Sequence, residues 1–107
     1  MLTHKPIKIV RRPAVLERFG YGNSCLHSRI KSGLVPPPFQ LGGRAVGWLD
    51  HELDAVIAAL TAGETDTEIK ELVQQLISRR TQTARDMRSL YAPRSNSNPS
   101  TWGLNST

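Results

Sequence analysis

Val15, Leu16 and Phe19 recur at three- and four-residue spacings between Pro13 and Gly20, the pattern of one short helix over 13–19. Proline suits the first turn of a helix, where its missing N–H removes no bond, and glycine suits the stop. A second helix is predicted over 23–32: Gly22 stands as N-cap, Tyr21 is placed to staple onto Leu26, and Gly33 supplies a left-handed stop. Around that helix Leu26 and Ile30 fall on one side, with Ser24, His27, Ser28 and Lys31 on the other. One face is core; the other is small, polar and basic. The connection Phe19-Gly20-Tyr21-Gly22 is short enough to make the pair a helix-turn-helix.

Pro36-Pro37-Pro38 cannot continue a helix, and residues 39–48 have the pattern of a hairpin. Phe39-Gln40-Leu41 and Arg44-Ala45-Val46-Gly47-Trp48 flank Gly42-Gly43, a pair suited to the positive φ angles of a tight turn. As a free motif the triple proline would be a polyproline ligand, but such ligands usually sit in open linkers. A third helix is expected from Asp50, whose side chain is placed to cap it, with Glu52 and Asp54 favouring its positive end. Leu53, Val56, Ile57 and Leu60 form its stripe, and Gly63 ends it. Thr65 and Glu68 then make a capping box for a fourth helix carrying Ile69, Leu72, Val73, Leu76 and Ile77. That stripe weakens through Ala84, Met87, Leu90 and Tyr91, so the segment is one long helix or two with a break around 79–83.

The expected fold is mainly α with a small two-stranded wing, its core drawn from Val15, Leu16, Phe19, Leu26, Ile30, Val46, Trp48, Leu53, Val56 and Ile57. Trp48 is expected beneath the wing. Residues 1–11 form a basic arm, extended around 7–10. From Pro93 to Thr107 the chain is rich in Ser, Asn, Pro and Thr, too polar to offset its ordering entropy, and a disordered tail is expected.

With 107 residues the chain has the size of one domain with a modest core, which argues against an elaborate enzyme cleft. Cys25 is alone and no leader pattern precedes the first helix, so a reducing cytosol is expected. No run approaches the roughly 18 apolar residues of a membrane span. Metal binding has little support: His27 lies two residues from Cys25, turned away from it on a helix, and His4 and His51 add no ligand spacing. Gly20-Tyr21-Gly22 lacks the rest of a dinucleotide fingerprint, and neither a phosphate loop nor a nucleophile elbow occurs. No cofactor, no metal and no catalysis are expected.

The net charge of +5 conceals an asymmetry. Residues 1–48 hold eight basic residues against Glu17 alone, while residues 49–92 hold eight acids against five basic residues. A basic half facing a polyanion and an acidic half turned away suits a nucleic-acid binder. A recognition helix enters the major groove, about 12 Å wide, and short polar or basic side chains on its outer face reach base edges and phosphates. Asn23, Ser24, His27, Ser28 and Lys31 are the candidates on the second helix, with Arg44 beside the Gly-Gly turn and Arg12 at the start of the first.

The stretch from Arg12 to Ile57 resembles the AlpA family of phage-type regulators. The resemblance is carried by Arg12-Pro13-Ala14-Val15-Leu16, by Ser24 and Leu26, and above all by Gly33-Leu34-Val35-Pro36-Pro37-Pro38-Phe39-Gln40-Leu41-Gly42-Gly43-Arg44-Ala45-Val46-Gly47-Trp48-Leu49, with Glu52, Asp54 and Ile57 in register after it. It implies a winged helix-turn-helix related to MerR-like and excisionase folds, occupying 12–63, with 64–92 as a C-terminal helical extension. It further implies a transcriptional regulator of a prophage or integrative element that promotes integrase expression or excision. Its partner would be double-stranded DNA in the bacterial cytoplasm at the nucleoid, bound as a homodimer or a cooperative array, with an integrase contact. Two rival functions stand beside this one: an excisionase that bends attachment-site DNA, and a protein-binding adaptor that recruits a partner through Ile69 to Ile77. Gly22, Asn23 and His27 depart from the family pattern, where serine, arginine and tyrosine are common, so no operator sequence carries over.

Overall fold

The computed structural model describes residues 7–91. Residues 1–6 of the basic arm and the polar tail at 93–107 lie outside the described residues. The elements run β1 (Ile9–Val10), α1 (Arg12–Phe19), α2 (Asn23–Lys31), β2 (Phe39–Gly42), β3 (Ala45–Leu49), α3 (Asp50–Thr61) and α4 (Asp66–Tyr91). The chain is a mainly helical protein with a small antiparallel sheet, compatible with a winged helix-turn-helix.

The punctuation expected of α1 and α2 is present. Pro13 lies in the first turn of α1, and Gly20 takes a left-handed φ of 71° while its N–H donates to Leu16 O. Gly22 caps α2 in an extended conformation, and Tyr21 stacks on Phe19 with centroids 5.0 Å apart and packs against the cluster that contains Leu26. At the far end Leu34 N–H donates to Arg29 O, closing α2 around Gly33 at φ 81°.

The wing has three strands in the order β1-β3-β2, where two were expected. The end of the basic arm supplies the third: Ile9 pairs with Leu49 and Val10 with Trp48. Val10 is buried beside Trp48, which is reason enough for so short a strand to pair. The close approach depends on Gly47, since a Cβ there would lie 2.7 Å from Ile9 Cγ2 and 3.2 Å from Val10 O.

Asp50 does not cap α3. Strand β3 runs directly into the helix, Leu49 occupies the cap position, and Asp50 N–H donates to Lys8 O at 2.8 Å. The Asp50 carboxylate, already in the first turn, instead receives Arg18, which also pairs with Asp54. Arg18 thereby ties α1 to α3. The capping box of α4 forms as expected: Thr65 N–H donates to Glu68 Oε1 at 2.8 Å and Glu68 N–H to Thr65 Oγ1 at 3.2 Å. The helix is continuous through 79–83.

Two apolar clusters build the interior. Val10, Val15, Leu26, Val35, Trp48 and Leu53 fill the space beneath the wing, and Leu34, Val56, Ala59, Ile69, Val73 and Leu76 join α3 to α4. Of the expected core, Leu16, Phe19, Ile30 and Val46 are only partly buried, and Ile57 belongs to neither cluster. The buried face of α3 is turned toward Glu52, Val56 and Ala59 because α4 covers that side. Ile69, Val73 and Leu76 are therefore core, not a partner surface.

Contacts to the proline loop lock these parts together. Trp48, fully buried, donates its indole N–H to Pro36 O at 3.0 Å. Arg80 of α4 donates to both oxygens of Glu52, from Nε at 2.9 Å and Nη2 at 2.6 Å, and to Pro37 O at 2.8 Å. Its guanidinium also covers the Phe39 ring at 5.3 Å. Pro36 is buried, so this segment is a structural brace and not an open ligand.

Removing residues 64–107 exposes Val56 and Ala59 and takes away the guanidinium that pairs with Glu52, so the melting temperature should collapse. A truncated chain melting cooperatively near the full-length value would contradict this packing. Arg80→Ala leaves a 1 % exposed carboxylate unpaired and should cost about 3–5 kcal/mol in urea denaturation. Glu52→Leu combined with Arg80→Leu should recover much of that loss.

Candidate nucleic-acid interface

Helix α2 is held by Leu26, fully buried, and by half-buried Ile30 on its inner side. That anchoring fixes its rotation. Asn23, Ser24, His27, Ser28 and Lys31 are all exposed, and among the described residues none spends its side chain on a hydrogen bond or ion pair within the fold. The expected face is therefore one continuous polar surface. Gly22, exposed and without a side chain, leaves the first-turn N–H groups of α2 open, and the helix dipole favours an anion there.

The wing lies beside this helix through the shared cluster beneath it. Gly42 and Gly43 carry φ angles of 117° and 56° at its tip, and Arg44 comes next, exposed. The register is shifted between Gln40 and Gly42, a bulge at the strand end that helps aim the tip. Arg11, a residue not singled out from sequence, steadies the wing by donating from Nε to Val46 O at 3.0 Å.

The cations of the described residues divide by what they do in the fold. Arg11, Arg18 and Arg80 are engaged by carbonyls or carboxylates, and Arg29 lies over Tyr21 at 5.7 Å instead of joining the outer face of α2. Arg12 is exposed, as a DNA contact requires, but its guanidinium stacks over Trp48 at 5.5 Å. It is the one expected site residue with a structural duty as well. Lys31 and Arg44 have no such duty among the described residues. No signal in the sequence separates the engaged cations from the free ones, because most of their structural partners lie far along the chain.

Cys25 is exposed on α2, and among the described residues no three His, Cys, Asp or Glu side chains gather closely enough to hold a metal ion. No described helix is long and apolar enough to cross a membrane.

Comparison with known proteins agrees with this geometry. Residues 8–59 match the family described as "Prophage CP4-57 regulatory protein (AlpA)", a stretch that begins at β1 and ends within α3. The chain is also 36% identical over 56 residues to "Uncharacterized protein ORF88" of Enterobacteria phage P4, covering 52% of this chain and 64% of that protein. No solved structure matches the chain. Through the winged region at residues 8–59, just under half of its length, the chain is similar to the AlpA family of prophage regulatory proteins.

Proposed function

We propose that this protein binds duplex DNA in a sequence-dependent way and regulates genes of a prophage or integrative element, acting at the bacterial nucleoid. The observation that carries this reading is the outer face of α2, where five exposed polar or basic side chains stand free of the fold's own bonds. Such a face fits the major groove, with Ser24, Asn23 and His27 presented to base edges and Ser28 and Lys31 to edges or phosphates. Arg44 on the wing would reach the backbone or the adjoining minor groove, and Arg12 a phosphate beside it. One reading helix and one wing cover a short site, so useful affinity requires a dimer or several copies side by side.

The family match supports a prophage regulatory role; within it, the finer reading is regulation of integrase expression, tied to excision. A footprint on the host element decides between this and an excisionase acting on the attachment site with integrase. Protection confined to a promoter supports the regulator, whereas repeated sites in the attachment region, with excision restored in vitro by purified protein, overturn it.

Binding itself should be strongly salt-dependent, with each neutralised phosphate adding about −0.9 to the slope of log affinity against log salt. Fluorescence anisotropy should show Lys31→Ala and Arg44→Ala weakening binding to every duplex alike. His27→Ala, if His27 reads a base, should cost about 1–3 kcal/mol on the cognate site and relax preference at one base pair. Absence of any complex with the element's DNA at low salt would sink the proposal.

A further inference from the structure

Helix α4 begins beside the recognition helix. Leu34, just past the end of α2, is buried in the same cluster as Ile69 and Val73 of α4. The stem of Lys70 lies against the turn between them, its Cγ 3.8 Å from where a Cβ at Gly33 would stand. Lys70 is exposed, and Lys31 is exposed two residues before Gly33. Both cations thus stand at the C-terminal end of α2, on backbone that the Leu34 cluster holds in place.

The surroundings leave Lys70 available. Asp66 stands one helical turn before it, yet no ion pair joins the two among the described residues. Counting about 100° per residue, Glu68 and Asp86 fall about 160° around α4 from Lys70 and Glu71 about 100°, while Asp66, Gln74, Thr81, Arg85 and Arg88 share its flank. Among the described residues of α4, Asp66 is the one acid on the flank of Lys70, and the rest of that flank is neutral or basic. Helix α2 itself carries no acid, so nothing on it competes for either lysine.

We infer that Lys70 is a phosphate contact of the DNA-binding surface, extending the face of α2 past Lys31 by means of a helix that lies outside the stretch matched to the family. This rests on the proposed DNA-binding function. A phosphate at that end of α2 would sit between Lys31 and Lys70, positioning the duplex without reading its sequence. The blander role for the same lysine is structural, a cation at the C-terminal end of α2 favouring its dipole.

The test uses the full chain, a short random-sequence duplex and a duplex selected from a random library, with anisotropy measured across a salt series. Lys70→Ala should weaken binding to both duplexes by the same factor and lower the magnitude of the salt slope by about 0.9, with the melting temperature unchanged. Lys70→Arg should restore the slope. A wild-type slope in Lys70→Ala while Lys31→Ala lowers it overturns the inference and leaves the DNA-binding function standing. A lower melting temperature with an unchanged slope assigns Lys70 to the dipole and overturns it as well. No salt-dependent binding by the wild-type chain removes both.

Discussion

The buried contact between Arg80 and Glu52 holds together parts of the molecule that would otherwise be independent. A carboxylate that is 1 % exposed is tolerable only when paired and hydrogen-bonded, and here both oxygens are taken by one guanidinium. The same guanidinium binds Pro37 O and covers Phe39, so α4, α3, the proline loop and the wing meet at one side chain. Trp48 repeats the device one residue earlier in the loop by donating to Pro36 O. The triple proline matters because proline carbonyls lie in a stiff backbone and accept bonds without an N–H to satisfy. These bonds, with packing, fasten the wing to the proline loop, α3 and α4.

Helical periodicity made much of this legible in advance. The inner and outer faces of α2 follow from Leu26 and Ile30, and the glycine stops at Gly20, Gly33 and Gly63 mark real helix ends, each with positive φ. What periodicity could not show was the rotation of α3. Ile57 continues an apolar stripe in sequence, but Glu52 and Ala59 are buried in its place, because the docking of α4 decides which face turns inward. A lone glutamate in a first turn reads as a solvated charge, and its partner lies 28 residues away. The extended piece expected at 7–10 is strand β1, but its pairing with β3 was hidden. Two residues give no alternation to detect, and their pairing depends on Gly47 in a distant strand.

The candidate interface was legible for a complementary reason: its residues do nothing for the fold. Asn23, Ser24, His27 and Ser28 can change without disturbing Leu26 or the cap at Gly22, so the scaffold fixes where the candidate face stands but not which side chains it carries. That separation fits a family match that takes in the proline loop, the wing and most of α3, where the bracing contacts lie. The helix that completes the brace lies beyond the match. Residue 52 falls within it and Arg80 outside, so the matched region of this chain does not hold all the partners of its own buried charge.

Net charge alone overstates the candidate DNA-binding surface, since much of the basic excess in the first half is spent internally. Arg11, Arg18 and Arg29 are turned to Val46, to Asp50 with Asp54, and to Tyr21, while Arg12 divides its role between Trp48 and the surface. These sites use the planar guanidinium, which can stack or bond in more than one direction, whereas a lysine at the end of α2 offers a mobile point charge suited to phosphate. Of the expected contacts, only Lys31 and Arg44 bring a cation with no competing duty among the described residues. On the proposed DNA-binding reading, a single copy would neutralise few phosphates, and few phosphates give weak affinity at physiological salt. On the proposed reading, regulation by this fold would depend on more than one copy per DNA site, or on cations supplied from outside the winged region, of which Lys70 near the start of α4 is one that packing holds beside the end of α2.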